Sequence, residues 1–384
     1  MAKVSIIIPV YNAAPYIGET LESVFRQTFT DYEVIVVDDG SQDKAELVAA
    51  LAPFRERIVY LSQENRGAAA ARNTGIRRAR GRFIAFLDAD DLWEPEFLQQ
   101  QINFVEEGQY DFAYTDALIC GDTDFAGRTF MDIAPSTGEV NFESLMAGKC
   151  NVISSSVVVR RESVIEAGSF DEGLRNAHDF DLWIRLALRD ARMAYQRRVL
   201  ARYRYRAGSL SGDALNRINR ELRVYRKIQT QYKLNQAQRL EVEGAIRRLD
   251  RELNLVLGKE HLARREFAEA QNCLRQARAT ESNWKLQFSC LLLSVAPELL
   301  VILHSLMNAG RPWLKSGFQP SAAADSNMIT GVLPIDKSVG YFQSSAEADS
   351  IMVTGVLPTD KSVGYFQSSA EADSNINYTC PPHR

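Results

Sequence analysis

Uninterrupted apolar runs, each cut off by a polar cluster, set the rhythm of the N-terminal half. Residues 4–10 read VSIIIPV before Tyr11-Asn12, residues 33–37 read EVIVV before Asp38-Asp39-Gly40-Ser41, and residues 83–87 read FIAFL before Asp88-Ala89-Asp90-Asp91. Apolar, β-branched runs without alternation predict strands buried on both faces. Pro9 has no N–H for a ladder, so the first strand is expected to end there. Between the runs, residues 15–27 place Ile17, Leu21, Val24 and Phe25 on one helical stripe. Residues 43–54 read as a second helix and 58–61 as a third strand. Strands alternating with helices at this spacing predict βαβ units, hence an α/β fold with a mostly parallel, Rossmann-like sheet. Further along, 111–116 and 154–159 are expected strands and 121–138 loops. An amphipathic helix is expected through Leu182, Trp183 and Leu186.

Residues 213–283 are rich in Arg, Glu, Gln and Leu with helical periodicity. The most apolar stretch, 288–307, approaches the length of a membrane span, but Pro297-Glu298 lie in its middle. A broken helical hairpin is expected there, lying in a membrane interface or covering the helical region. Lys285, Arg311 and Lys315 flank it and suit anionic head groups. Residues 330–345 return 24 residues on as 354–369, changed only at Thr359, and a third partial copy starts at Ser369. Their Ser, Ala, Gly and Asp content predicts a flexible tail.

The 384 residues suggest two or three domains. A net charge of −4 gives no global argument for nucleic acid. The five cysteines are scattered without a C-x-x-C pair, which disfavours a disulfide framework or zinc site and fits a reducing compartment. No signal-peptide pattern precedes the first strand, so the expected location is cytoplasmic, with the inner face of the plasma membrane as an option.

Strand ends of a parallel sheet lie along one edge, so the three polar clusters should converge on one crevice. Asp88 and Asp90 flank Ala89 and would point the same way in extended chain. Such a pair suits a hard divalent cation bridging to phosphates, although Asp90-Asp91 capping the helix at 94–106 is the plainer alternative. The turn Asn65-Arg66-Gly67 precedes a small-residue helix that could hold phosphate at its N-terminus, with Arg72 as a fixed cation. Equally, it could be an Ala-rich helix packed close to the sheet. Neither G-x-G-x-x-G nor G-x-x-x-x-G-K-[ST] follows the first strand, which argues against a dinucleotide oxidoreductase or a P-loop enzyme. Tyr11 could stack on a base or simply pack. A nucleotide diphosphate accompanied by its metal fits this crevice.

Ser5-Ile6-Ile7-Ile8-Pro9-Val10-Tyr11-Asn12, Val36-Val37-Asp38-Asp39-Gly40-Ser41, Asn65-Arg66-Gly67 with Ala71-Arg72-Asn73, and Leu87-Asp88-Ala89-Asp90-Asp91 together resemble the family-2 nucleotide-sugar glycosyltransferases. The resemblance covers roughly residues 3 to 212. It implies a GT-A fold, a nucleotide-sugar donor (UDP-sugar by default) and inversion at the anomeric carbon. It implies further that Pro9, Tyr11, Asp38 and Asp39 hold the nucleoside, that Arg72 and Ala89 lie on the donor side, and that Asp88 and Asp90 hold Mg2+ or Mn2+. The acceptor would be a cell-surface glycan or lipid-linked sugar, met by the loops of 110–150. Where the family usually shows Glu-Asp-x-Asp-Leu-Trp, this chain has His178-Asp179-Phe180-Asp181-Leu182-Trp183. By that match Asp179 is the general base, with helix capping as the alternative. Asp181 would point about 200° away on a helix and serve something else. Arg206 stands where many relatives carry His; its fork suits the leaving diphosphate, or the 202–206 segment is merely a solvated basic strand. The motif and membrane spans of processive members are missing, so one sugar per encounter is expected.

The expected boundaries are 1–212 for the GT-A domain, 213–316 for the helical region and 317–384 for the tail. Within the helical region, Leu257-Gly258, His261, Phe267, Ala270, Leu274 and Ala277 resemble the spacing of one tetratricopeptide helix pair. A lone pair cannot bury its own faces, so it should pack on the catalytic domain or a partner. Two rival readings remain. One is a non-catalytic nucleotide-sugar-binding or scaffolding protein. The other, a nucleotidyltransferase, would need a basic Gly-rich loop after the first strand, which the chain lacks.

Overall fold

The computed structural model describes residues 2–174, 176–205, 214–280 and 284–298. Four strands follow the apolar runs: β1 (Val4–Val10), β2 (Tyr32–Asp38), β3 (Val59–Ser62) and β4 (Phe83–Phe86). Helices α1 (Ala14–Phe25), α2 (Lys44–Leu51) and α3 (Ala68–Arg78) connect them. The chain continues through β5 (Leu92–Trp93), α4 (Phe97–Glu107), β6 (Phe112–Gly121), α5 (Phe142–Met146), β7 (Val157–Arg160), α6 (Arg161–Glu166), α7 (His178–Ala187) and β8 (Met193–Tyr205). One sheet of eight strands results, in the order β3-β2-β1-β4-β7-β6-β8-β5. Strands β1 to β4 run parallel, β7 is antiparallel to both β4 and β6, and β5 is antiparallel to β8. Apolar residues of successive parity feed opposite faces. Ile7, Ile35, Ile84 and Phe86 pack on one side, and Ile6, Ile8, Val36 and Ala85 on the other.

One expectation needs correction, and one strand goes beyond the sequence reading. Ser154–Ser156 is a 3-10 turn, and the strand begins only at Val157. Secondly, β8 is thirteen residues long and runs parallel to β6, with register irregularities around Asp116. Its polar sequence hid its start and length. This strand matters because it returns the chain to the Asp88–Asp91 turn, where β5 pairs with it (Leu92 opposite Arg202).

Helix α3 sits tightly against β1 because Gly75 has no side chain: a Cβ there would lie 2.5 Å from Ile7 Cγ2. Overpacking a core costs about 1–3 kcal/mol. Gly75→Ala should therefore lower the unfolding midpoint, read by thermal denaturation, and the further shift it causes should shrink in an Ile7→Ala background, which removes the γ-carbons it meets.

Past the sheet come α8 (Ala214–Gln231), α9 (Gln236–Ala263), α10 (Phe267–Thr280) and α11 (Trp284–Val295). The α8–α9 hairpin joins the core of the α/β part through Ile218, Leu222, Tyr225, Ile228, Val242 and Leu249. Arg248 donates to the Met146 carbonyl (3.2 Å), and Lys227 bridges buried Asp181 (2.7 Å) and Asp171 (2.6 Å). This second contact accounts for Asp181, which also pairs with Arg185 (2.8 Å) and lies outside the crevice. The C-terminal half of α9, with α10 and α11, forms a separate small cluster around Leu262, Ala270, Leu274, Ala277 and Leu286. At the α9–α10 crossing, a Cβ on Gly258 would come 3.0 Å from Leu274. Phe288, Leu291 and Val295 of α11 are exposed. Among the described residues no helix is long and apolar enough to cross a membrane. The remainder of the 288–307 stretch and the tail repeats lie outside the described residues.

Glu221 of α8 is buried beside Arg217, which also pairs with Glu252 of α9. Burial pushes its carboxyl up to about 7, outweighing Arg217. Its folded-state pKa thus exceeds its unfolded value, so the protonated form favours the native state. Stability should fall as pH rises from about 4.5 through about 7. Glu221→Gln should remove roughly 2–3 kcal/mol of that pH dependence, read as unfolding midpoints at pH 5 and pH 8.

Candidate active site

The carboxylate motif is a tight turn, not extended chain. The Asp88 carbonyl accepts the Asp91 N–H (3.1 Å), so the extended-strand argument for Asp88 and Asp90 does not hold. Thr20 of α1 places its hydroxyl 2.9 Å from the carbonyls of both Ala89 and Asp91. On the other side, Arg204 of β8 gives its N–H to Asp91 Oδ1 (2.8 Å), its Nε to the Asp90 carbonyl (2.9 Å) and its fork to Glu19. Asp91 is fully buried; burial, then Asp90 and Asp88, hold its carboxyl well above the usual range. The motif thus divides its labour. Asp91 anchors the turn, while Asp88 and Asp90 stay partly exposed, the Asp88 side chain at 37%. Neither Asp90 nor Asp91 caps α4, whose N-cap is Glu96.

Helix α3 delivers Arg72 to the same point. Its Nη2 donates to Asp88 Oδ1 and its Nη1 to His178 Nε2, each at 2.5 Å, and its guanidinium lies 5.5 Å from the Phe170 ring. Next in the chain, Asn73 exchanges hydrogen bonds with the Phe170 backbone (both 2.9 Å) and reaches Glu172 (3.0 Å). Glu172 in turn pairs with Arg66. The segment leading into α7 is therefore tied to α3 at Phe170 and Glu172. Phe86, Phe170 and Trp183 pack beneath it.

Helix α7 starts after Ala177, whose φ of 55° is left-handed, and among the described residues no side chain caps it. Asp179 is not the N-cap residue, although it serves one first-turn amide of α7. Its Oδ2 accepts the Ser154 hydroxyl (2.9 Å) and its Oδ1 the Phe180 N–H (2.8 Å). The neighbouring Ser155 accepts the Asp88 N–H (3.0 Å), donates to Asp91 Oδ2 (2.5 Å) and gives its carbonyl to Trp93 Nε1 (2.6 Å). Two adjacent serines thus bind the candidate base and the candidate metal turn to one backbone segment. Ser154 and Ser155 escaped the sequence reading; three serines opening an expected strand were the available signal.

At the end of β2 the two aspartates differ. Asp38 is fully enclosed, taking the Ser41 N–H (2.9 Å) on one oxygen and the Tyr60 hydroxyl (2.8 Å) on the other. Burial raises its pKa, but the Ser41 and Tyr60 hydrogen bonds win and hold it low, while Tyr60 is pushed up to about 12. Asp39 Oδ1 accepts from Gln63 (2.8 Å) and the Arg66 N–H (3.0 Å), and its Oδ2 from the Gly67 N–H (2.7 Å). It thereby shapes the turn ahead of α3. Pro9 lies opposite Val37, but the strand does not end there as expected: the ladder runs on to Val10 opposite Asp38, and Tyr11, 45% exposed, stands just beyond it. Arg206 lies outside the described residues.

Among the described residues no three His, Cys, Asp or Glu side chains gather as a metal cage. Two partly exposed carboxylates fit a cation that shares its shell with a diphosphate and water.

An α/β sheet with these strand-end carboxylates has the GT-A architecture. The mannosyltransferase PcManGT from Pyrobaculum calidifontis, solved with GDP-Man and Mn2+, aligns with a TM-score of 0.52 at 19% identity, over 82% of this chain and 88% of that one. The model for Glycosyl transferase family 2 matches residues 5–167. A UDP-Glc:alpha-D-GlcNAc-diphosphoundecaprenol beta-1,3-glucosyltransferase, WfaP of Escherichia coli, is 31% identical over 230 residues, 59% of this chain and 87% of WfaP. An uncharacterized glycosyltransferase of Rickettsia felis is 33% identical over 189 residues, 49% of this chain, which spans only 31% of that protein. The chain belongs to glycosyltransferase family 2.

Proposed function

We propose that this chain is an inverting, metal-dependent, non-processive glycosyltransferase. It takes a sugar from a nucleotide-diphosphate sugar, UDP-linked by default, and passes it to a cell-surface glycan or lipid-linked acceptor. The observation that carries this reading is the junction at Ser154-Ser155, which bonds Asp179 on one side and the Asp88 turn on the other. Asp179 takes the proton from the acceptor hydroxyl as its oxygen bonds to the anomeric carbon and the bond to the diphosphate breaks. Asp88 and Asp90 hold Mg2+ or Mn2+, which offsets charge on the departing diphosphate. Pro9, Tyr11 and Asp39 line the nucleoside side; Asp38 supports them from within the sheet, and Ala89 and Arg72 border the diphosphate. Arg206 is assigned to the same diphosphate.

Residues 1–212 form the catalytic unit in this reading, 213–316 a helical unit with a tetratricopeptide-like pair, and 317–384 the tail. Exposed Phe288 and Leu291 support contact of 288–307 with a membrane surface. The test is nucleotide release from a panel of nucleotide sugars, with Mn2+ and with a chelator. Metal-dependent release of one nucleotide supports the enzyme and identifies its donor. Binding without turnover, with cell-derived lipid acceptors present, would favour a binding or scaffolding role.

A further inference from the structure

Arg72 is a buried cation, and among the described residues Asp88 is the carboxylate it touches. Its other close partner is His178 Nε2. A guanidinium only donates, so that ring nitrogen must accept, and the ring is neutral with its proton on Nδ1. Nδ1 is itself buried with no hydrogen-bond partner among the described residues, as is Arg72 Nε. Phe170 meets the imidazole edge-on at 5.6 Å and leaves it little room to turn. Nothing negative at position 178 shares the charge of Arg72. The charge falls on Asp88 Oδ1, the same carboxylate assigned to the metal.

We propose that His178 is a positioning residue that sets the charge balance of Asp88, so that the Asp88–Asp90 pair takes a divalent cation only together with a diphosphate. Without a donor, Arg72 holds Asp88 and competes with the cation. A diphosphate supplies a second anionic partner for Arg72 and frees the Asp88 oxygen. This inference rests on the proposed donor and metal site and adds the order in which that site is filled.

Calorimetric titration of the full chain with Mn2+, with and without UDP, tests it. The wild type should bind Mn2+ weakly alone and more tightly with UDP, after correction for chelation by UDP in solution. In His178→Glu, Arg72 gains a second carboxylate, and Mn2+ alone should bind about tenfold tighter by the Coulomb energy of one added charge near the pair. In His178→Gln, neutral and still able to accept the Arg72 N–H, Mn2+ should bind as in the wild type. Equal wild-type affinity with and without UDP, or a Glu variant no tighter than the Gln variant, overturns the role of His178 and leaves the metal site standing. No Mn2+ uptake even with UDP overturns both. The wild-type comparison needs no variant, so a Glu variant that fails to fold does not rescue the idea.

Discussion

Asp179→Asn should lower sugar transfer about 10²–10⁴-fold, the range a positioned general base supplies, with donor affinity nearly unchanged. The amide keeps the shape: its single oxygen can accept the Phe180 N–H, and its NH2 can donate to the Ser154 hydroxyl oxygen, which reverses that bond and preserves the fold. What it loses is the capacity to take a proton. The readout is kcat against donor KM, with the fall confined to kcat. A parallel loss of donor binding would mean that Asp179 holds the diphosphate side instead. Asp88→Asn should show the opposite split, weakening metal-dependent donor binding first.

The second large effect concerns stability. Lys227 reaches from α8 to the buried Asp181 of α7 and to Asp171 in the segment before it. Breaking a buried pair by removing one partner costs about 3–5 kcal/mol, and Arg185 still serves Asp181. The expected loss for Lys227→Ala is thus near the lower end, about 3 kcal/mol. Because α7 carries Asp179, transfer should fall together with stability. Lys227→Met, which keeps the packing, should be as destabilising as Ala if charge is what matters. A Met variant as stable as wild type would show that packing, not charge, secures the hairpin.

Much of the α/β half was legible because its strands are continuous apolar runs that have no other low-energy home than a sheet covered on both faces. Strands β1, β2 and β4 fall within a residue or so of their expected positions. The misses have physical reasons. Strand β8 carries Gln196, Arg197, Arg198, Arg202 and Arg204, so only its end read as a basic strand, and its start and length left no apolar signature. Strand β5 has two residues, below any periodicity. The serines at 154–156 were read into a strand because valines follow them. The Ser154 and Ser155 hydroxyls instead answer buried carboxylates and a backbone group far away in sequence. In the site, composition marked the acidic turn, but only tertiary contacts separate partly exposed Asp88 and Asp90 from enclosed Asp91. The same holds for Asp38, enclosed behind Asp39. Motif spacing pointed to Asp179, whereas the bond between Arg72 and His178 joins residues 106 apart and leaves no local signature.

The central claim is a single displacement with Asp179 as base, and the anomeric configuration of the first product tests it most directly. Proton NMR at early time, with an α-linked donor accepted by the enzyme, Mn2+ present and water as the acceptor, should show the free β-sugar forming before mutarotation. Initial release of the α-anomer would contradict the account, because retention requires either a protein nucleophile or front-face attack, neither of which is the role given to Asp179.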